Sequence, residues 1–196
     1  MKRRKDNNRR NQILIGVVLV AIMIFSGFGI FSDQGNNSIY YGKYKLSVSN
    51  EGRFLFMKYQ GKDVVFYNAP AEVRKISADA AVIQKLKGAK FLITTFDPLQ
   101  NPNNLAIIDT ARFDIGVAFG KQIIPGVTRS GKGYEFPVYT CENASSYIPV
   151  LYFNESNETS VIDNNNCIIL NGNNTGMLQL RDFLMYSMIG VFDEKK

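Results

Sequence analysis

The chain has 196 residues, 45% of them apolar and with 14 Phe and 10 Tyr, which suffices for one folded domain and one appendage. The net charge of +6 is concentrated in residues 1–12, where Lys2, Arg3, Arg4, Lys5, Arg9 and Arg10 face only Asp6; the remainder is close to neutral, which excludes a basic nucleic-acid face. Histidine is absent, which excludes Ser-His-Asp and Cys-His catalysis and the usual His-containing zinc sites.

The basic tail precedes "QILIGVVLVAIMIFSGFGIFS", residues 12–32, which carries no charge. About twenty apolar residues in a helix span about 30 Å, the hydrocarbon thickness of a bilayer. The cations on its N-terminal flank place that end in the cytoplasm, so the chain divides into a cytoplasmic tail (1–12), a transmembrane anchor (13–32), a spacer (33–43) and one extracellular domain (44–196). A cleaved signal peptide is the alternative, but the apolar run exceeds the usual h-region and no clear cleavage site follows it. The lipid bilayer is therefore the first expected partner, and the cell membrane the expected location.

The domain opens with strand patterns. Residues 44–49 ("YKLSVS") alternate, "RFLFMKY" (53–59) follows an Asn-Glu-Gly turn, and "VVFY" (64–67) follows a second Gly turn, which predicts an antiparallel meander. Ser77 as N-cap and Gly88 as stop predict a helix over 78–87, with Val82, Ile83 and Leu86 on one face. "FLITTF" (91–96) is a continuous apolar run, as in a strand buried on both faces. Leu105, Ile108, Ile115 and Phe119 keep helical spacing up to Gly120. Strand-like runs follow at 136–141, 149–154, 158–163 and 167–172. A last helix is predicted at about 176–191, with Met177, Leu180, Leu184, Met188 and Val191 on one stripe and Arg181 and Asp182 on its wet side. The order predicts an α/β domain on a mixed sheet, with the N-terminal meander joined to that sheet and about three helices; α+β is the close alternative.

Gly126 to Lys132 reads G-x-x-x-x-G-K, a phosphate-binding signature. Its context is wrong. The preceding "KQIIP" is a poor strand broken by Pro125, no helix pattern follows, and Gly133 stands where a magnesium-binding hydroxyl belongs. The reading is a Gly-rich surface loop, with no nucleotide. Asp97, at the carboxyl end of an apolar strand, is the best-placed carboxylate, with Asp109 and Asp114 on the next helix. Asp-Pro is also ordinary turn chemistry. No pattern points to a cofactor or a metal, and no catalytic residue is assigned.

Cys141 and Cys167, both beyond the predicted membrane, read as a disulfide. Asn36, Asn143, Asn154, Asn157 and Asn173 each begin N-x-S/T and are the candidate glycosylation sites of an exported domain. The last helix is apolar around much of its circumference. It is read first as a core helix, and secondly as a surface whose Leu184 and Met188 meet a partner.

Three stretches, "GKDVVFYNAPAEV" (61–73), "TCENASSYIPVLYFNESNETSVIDNNNCIIL" (140–170) and "LRDFLMYSMIGVF" (180–192), together with the basic tail and anchor, resemble small single-pass membrane-anchored surface proteins of unknown function from small-genome archaea. The resemblance implies an exported, disulfide-bonded, glycosylated domain, and it transfers no catalytic residue. The expected function is a non-catalytic binding or structural role at the cell surface, toward envelope proteins, membrane proteins or glycans. The alternatives are an accessory subunit of a membrane complex docked through the last helix, and a hydrolase working through Asp97.

Overall fold

The computed structural model describes residues 38–131 and 133–193. The basic tail, the stretch 13–32 expected to be an anchor, and Asn36 lie outside the described residues, among which no helix is long and apolar enough to cross a membrane. The described part, from Ser38 onward, packs as one unit.

Four strands, β1 (Ser38–Tyr41), β2 (Tyr44–Val48), β3 (Leu55–Tyr59) and β4 (Lys62–Phe66), pair antiparallel in sequence order. The meander is thus present, with two corrections. It begins inside the stretch read as spacer, because Ser38 to Tyr41 pair with Ser47 to Tyr44 across a turn at Gly42, whose φ is +56°. It is also a separate sheet. Its β4 edge forms no ladder with the second sheet and instead meets helices.

The second sheet has the order β6-β5-β7-β9-β8, built from β5 (Phe91–Phe96), β6 (Gln122–Pro125), β7 (Val150–Glu155), β8 (Ser160–Asn164) and β9 (Cys167–Gly172). Strands β6, β5, β7 and β9 are parallel and β8 is antiparallel to β9, so the sheet is mixed. Pro125 is tolerated because it ends an edge strand, where its missing N–H costs no ladder bond. By contrast, residues 136–141 form no regular strand. Pro137 interrupts the run, which makes a single bridge from Val138 to Val127.

The helices are α1 (Pro70–Val73), α2 (Ala80–Gly88), α3 (Pro102–Phe119) and α4 (Asn174–Ile189). Helix α2 starts two residues later than expected because Asp79, not Ser77, is the cap: its carboxylate accepts from the Ala81 N–H. Helix α3 is capped by Asn101 and ends at Gly120 with φ +61°, a left-handed position that favours glycine.

Alternation along the strands divides the core. Leu92, Phe96, Leu151, Phe153, Ile168 and Leu170 face the helices and share one large core with Leu46, Met57, Val64 and Phe66 of the meander. Ile93, Val150 and Cys167 face the other way, beneath Tyr139, Cys141 and Ile148. Helix α4 touches both sheets. A Cβ added to Gly172 of β9 would lie 2.9 Å from Leu180, while the ring of Tyr186 stacks on Phe66 of β4 with centroids 3.9 Å apart. This central position explains why the helix is apolar nearly all round.

Candidate functional site

The parallel strands β5, β7 and β9 end together, where open α/β sheets place their ligands. Asp97 lies there, and Arg129 clamps it: its Nε donates to the Asp97 carboxylate at 2.9 Å and its terminal nitrogen donates to the second oxygen. This guanidinium holds the Asp97 carboxyl below the usual carboxylate range, helped by the Leu99 N–H. Next to it, burial raises the Tyr152 hydroxyl, which donates to Asn154. The Asn154 amide donates to Asn171, whose amide donates to Ser160. The result is a polar row across β7, β9 and β8. The crevice between β5 and β7 is closed by the chain itself. The Gln100 amide donates to Phe153 O, and the Asn101 N–H donates to Glu155. A carboxylate locked by arginine beside a filled crevice is poorly placed to trade protons with a substrate.

Two glycines of the 126–133 loop, Gly126 and Gly131, have a packing explanation, and the third, Gly133, has φ +92°, a left-handed position that favours glycine. A Cβ on Gly126 would meet the Tyr139 ring at 2.6 Å, and one on Gly131 would meet Pro98 at 2.6 Å. Small residues are needed for these close approaches. The next helical turn after α3, among the described residues, is the 3-10 turn Cys141–Asn143.

Arg181 and Asp182, read from the sequence as the wet side of the last helix, are 1% and 0% exposed. Arg181 donates to Val65 O, to Asp182 and to Asp114 on α3, and stacks over the rings of Phe66 and Tyr67. Asp182 accepts from the backbone N–H groups of Tyr67 and Asn68 and from the Asn68 amide. Burial pushes the Asp182 carboxyl up, against the pull of Arg181 and these N–H donors. Tyr186 donates to Asn68 O, and burial raises its hydroxyl far above the ordinary tyrosine value. These charges satisfy the chain end that leaves β4, fastening the meander's edge to α3 and α4.

Leu184 and Met188, the expected interaction surface, are 0% and 4% exposed and belong to the main core. They present nothing to a partner, because α4 lies between two sheets. An exposed apolar ridge lies instead on α3, where Phe113 is 69% and Val117 47% exposed; Tyr40, Leu99 and Tyr147 are exposed elsewhere. Sequence reasoning missed it although the signal exists: Ala106, Thr110, Phe113 and Val117 recur at helical spacing opposite the buried Ile108, Ala111 and Ile115. Grooves flank this ridge. One of about 390 Å³ runs between α3 and Ile123, Pro125 and Phe136. The other, of about 230 Å³, runs between α3 and β4.

Cys141 and Cys167 form a disulfide, joining the 3-10 turn to the start of β9. Asn143 and Asn157 are exposed, whereas Asn154 and Asn173 are partly buried. The Asn143 side-chain Oδ1 accepts from the Thr140 N–H, the Asn154 side-chain amide is spent on Asn171, and the Asn173 side-chain amide donates to Asn157. No group of His, Cys, Asp or Glu suited to a metal occurs among the described residues.

No protein-family model, curated protein or solved structure matches the chain.

Proposed function

We propose that this is a membrane-anchored cell-surface protein whose exported domain acts by binding. In this reading residues 13–32 hold it in the bilayer, the N-terminus is cytoplasmic, and the domain contacts envelope proteins or glycans. The observation that carries the reading is the Cys141–Cys167 disulfide, which uses the chain's full complement of cysteine and belongs in an oxidising compartment. Two further features support it. The carboxylate Asp97, at the carboxyl end of β5, is neutralised by Arg129, and α3 exposes an apolar ridge of the kind found where a protein meets a partner.

The accessory-subunit reading keeps support from that same ridge, with α3 replacing the last helix as the docking element. The hydrolase reading has no observation in its favour beyond the position of Asp97.

The test is brief chemical crosslinking in native membranes, mild-detergent purification of the full chain, and mass spectrometry of what is recovered with it. Envelope or membrane components crosslinked to peptides of the 38–193 region are the expected result. Recovery of the chain alone, with hydrolytic turnover lost in Asp97→Asn, overturns it.

A further inference from the structure

We propose that α3 is a homodimerisation helix: two copies pack antiparallel about a two-fold axis near residues 110–113, seating Phe113 and Val117 of each against Thr110 and Ala106 of the other.

Beyond its first residue, Pro102, the exposed residues of α3 lie at Asn103, Ala106, Thr110, Phe113 and Val117, with spacings alternating between three and four. That is the 3.5-residue period of a helix-pairing seam. The opposite stripe, Asn104, Ile108, Ala111, Ile115 and Ala118, is already buried in the domain. The helix therefore has two packing faces and only one is used.

Residue size along the seam says what covers the other. Its N-terminal half is small, Ala106 and Thr110, and its C-terminal half is large, Phe113 and Val117. A parallel pair would set large against large. An antiparallel pair, the only arrangement a two-fold perpendicular to the helices allows, sets Phe113 against Thr110 and Val117 against Ala106. Helices then approach to about 8–10 Å with knobs seated in holes. The ridge between two grooves is self-complementary in the same sense, since each copy offers what the other lacks.

Charge agrees with shape. At the C-terminal end of α3 the Lys62 ammonium donates to Val117 O and has no carboxylate partner among the described residues. At the N-terminal end Glu155 accepts from the Asn101 N–H and has no cation partner among them. Antiparallel packing brings the Lys62 end of each copy to the Glu155 end of the other and opposes the two helix dipoles. Leu99, 64% exposed just ahead of α3, is carried toward the far end of the partner's groove. None of this depends on where in the cell the domain resides.

The experiment uses the full-length chain in mild detergent. The native cysteines are bonded to each other, so in Thr110→Cys the introduced thiol is the only free one. The expected results are a particle of two chains by light scattering and, on oxidation of Thr110→Cys, a covalent band at twice the 22.1 kDa of the chain. Phe113→Lys halves the particle mass while the monomer stays folded, with a cooperative thermal transition that no longer depends on protein concentration, and Val117→Lys repeats this should the first variant fold poorly. Glu51→Cys, on an exposed turn, gives no band. A monomer at the highest concentration reached overturns the proposal. So does a dimer that survives both lysine variants, or one that crosslinks equally through Glu51→Cys, since the contact then lies elsewhere. A different protein captured by Thr110→Cys in native membranes, without self-crosslinking, overturns it as well by giving α3 another occupant.

Discussion

Arg181 is the residue on which most of the interior polar structure converges. It neutralises Asp182 and Asp114, and its own Nε–H finds no acceptor among the described residues. Replacing a buried ion pair wholesale by apolar groups is often tolerated, but removing one partner strands the other charge. Arg181→Met leaves Asp182 buried beside no cation. The expected loss is about 3–5 kcal/mol in urea unfolding, against well under that for an exposed pair such as Arg53 with Glu51. Asp97 belongs to the weaker class, since Arg129 is more than half exposed. Its folded carboxyl is depressed, so the clamp stabilises above the unfolded value of about 3.9 and that contribution is lost as pH falls through the folded value. Asp97→Asn therefore costs less than about 1 kcal/mol near pH 7, and the gap to wild type closes on acidification. A gap that widens in acid would contradict the assigned sign.

Helices α3 and α4 differ in how legible they were. Both carry apolar residues on more than one face, and composition alone does not say which face is covered. Helix α4 is covered because two sheets and the other helices enclose it, and the backbone partners of Arg181 and Asp182 sit more than 110 positions earlier, at Val65, Tyr67 and Asn68, with Asp114 67 positions earlier. No local periodicity carries information over that separation, so the pair read as solvated. Strands β2, β3, β4, β5, β7, β8 and β9 and the three longer helices were legible because each satisfies a local period and a local stop, whereas β1 lies in the stretch read as spacer. Strand β6 was not legible, since Pro125 argues against a strand until the sheet order makes it an edge. The contrast between the helices is measurable. Leu184→Ala removes a fully buried side chain and is expected to cost about 2–5 kcal/mol. Phe113→Ala, at a site 69% exposed, is expected to stay within about 0.5 kcal/mol for folding. Equal losses by denaturant unfolding, at concentrations where the chain is monomeric, would mean that α3 is covered within the single chain.

For the whole molecule, the disulfide and the N-terminal apolar segment make one argument. Cys141 and Cys167 are 26 positions apart, and closing such a loop stabilises by about 3 kcal/mol in the chain-entropy model. The bond ties the 139–148 segment to the sheet face formed by Ile93, Val150 and Cys167. An exported chain forms this bond, whereas one kept in a reducing cytosol does not. Chain recovered from native membranes and denatured without reductant should therefore take up no polyethylene-glycol maleimide. A chain lacking residues 13–32, expressed in the same cells, should take up two. Its folded domain should also lose about 3 kcal/mol to denaturant, the same loss that reductant inflicts on the full-length protein. Two reactive thiols in the full-length protein at steady state would place the domain on the reducing side of the membrane, and the surface-binding reading would fall with it. A fully oxidised full-length chain beside a reduced truncated one would tie the bond to export, because the two chains differ only in the segment proposed to cross the bilayer.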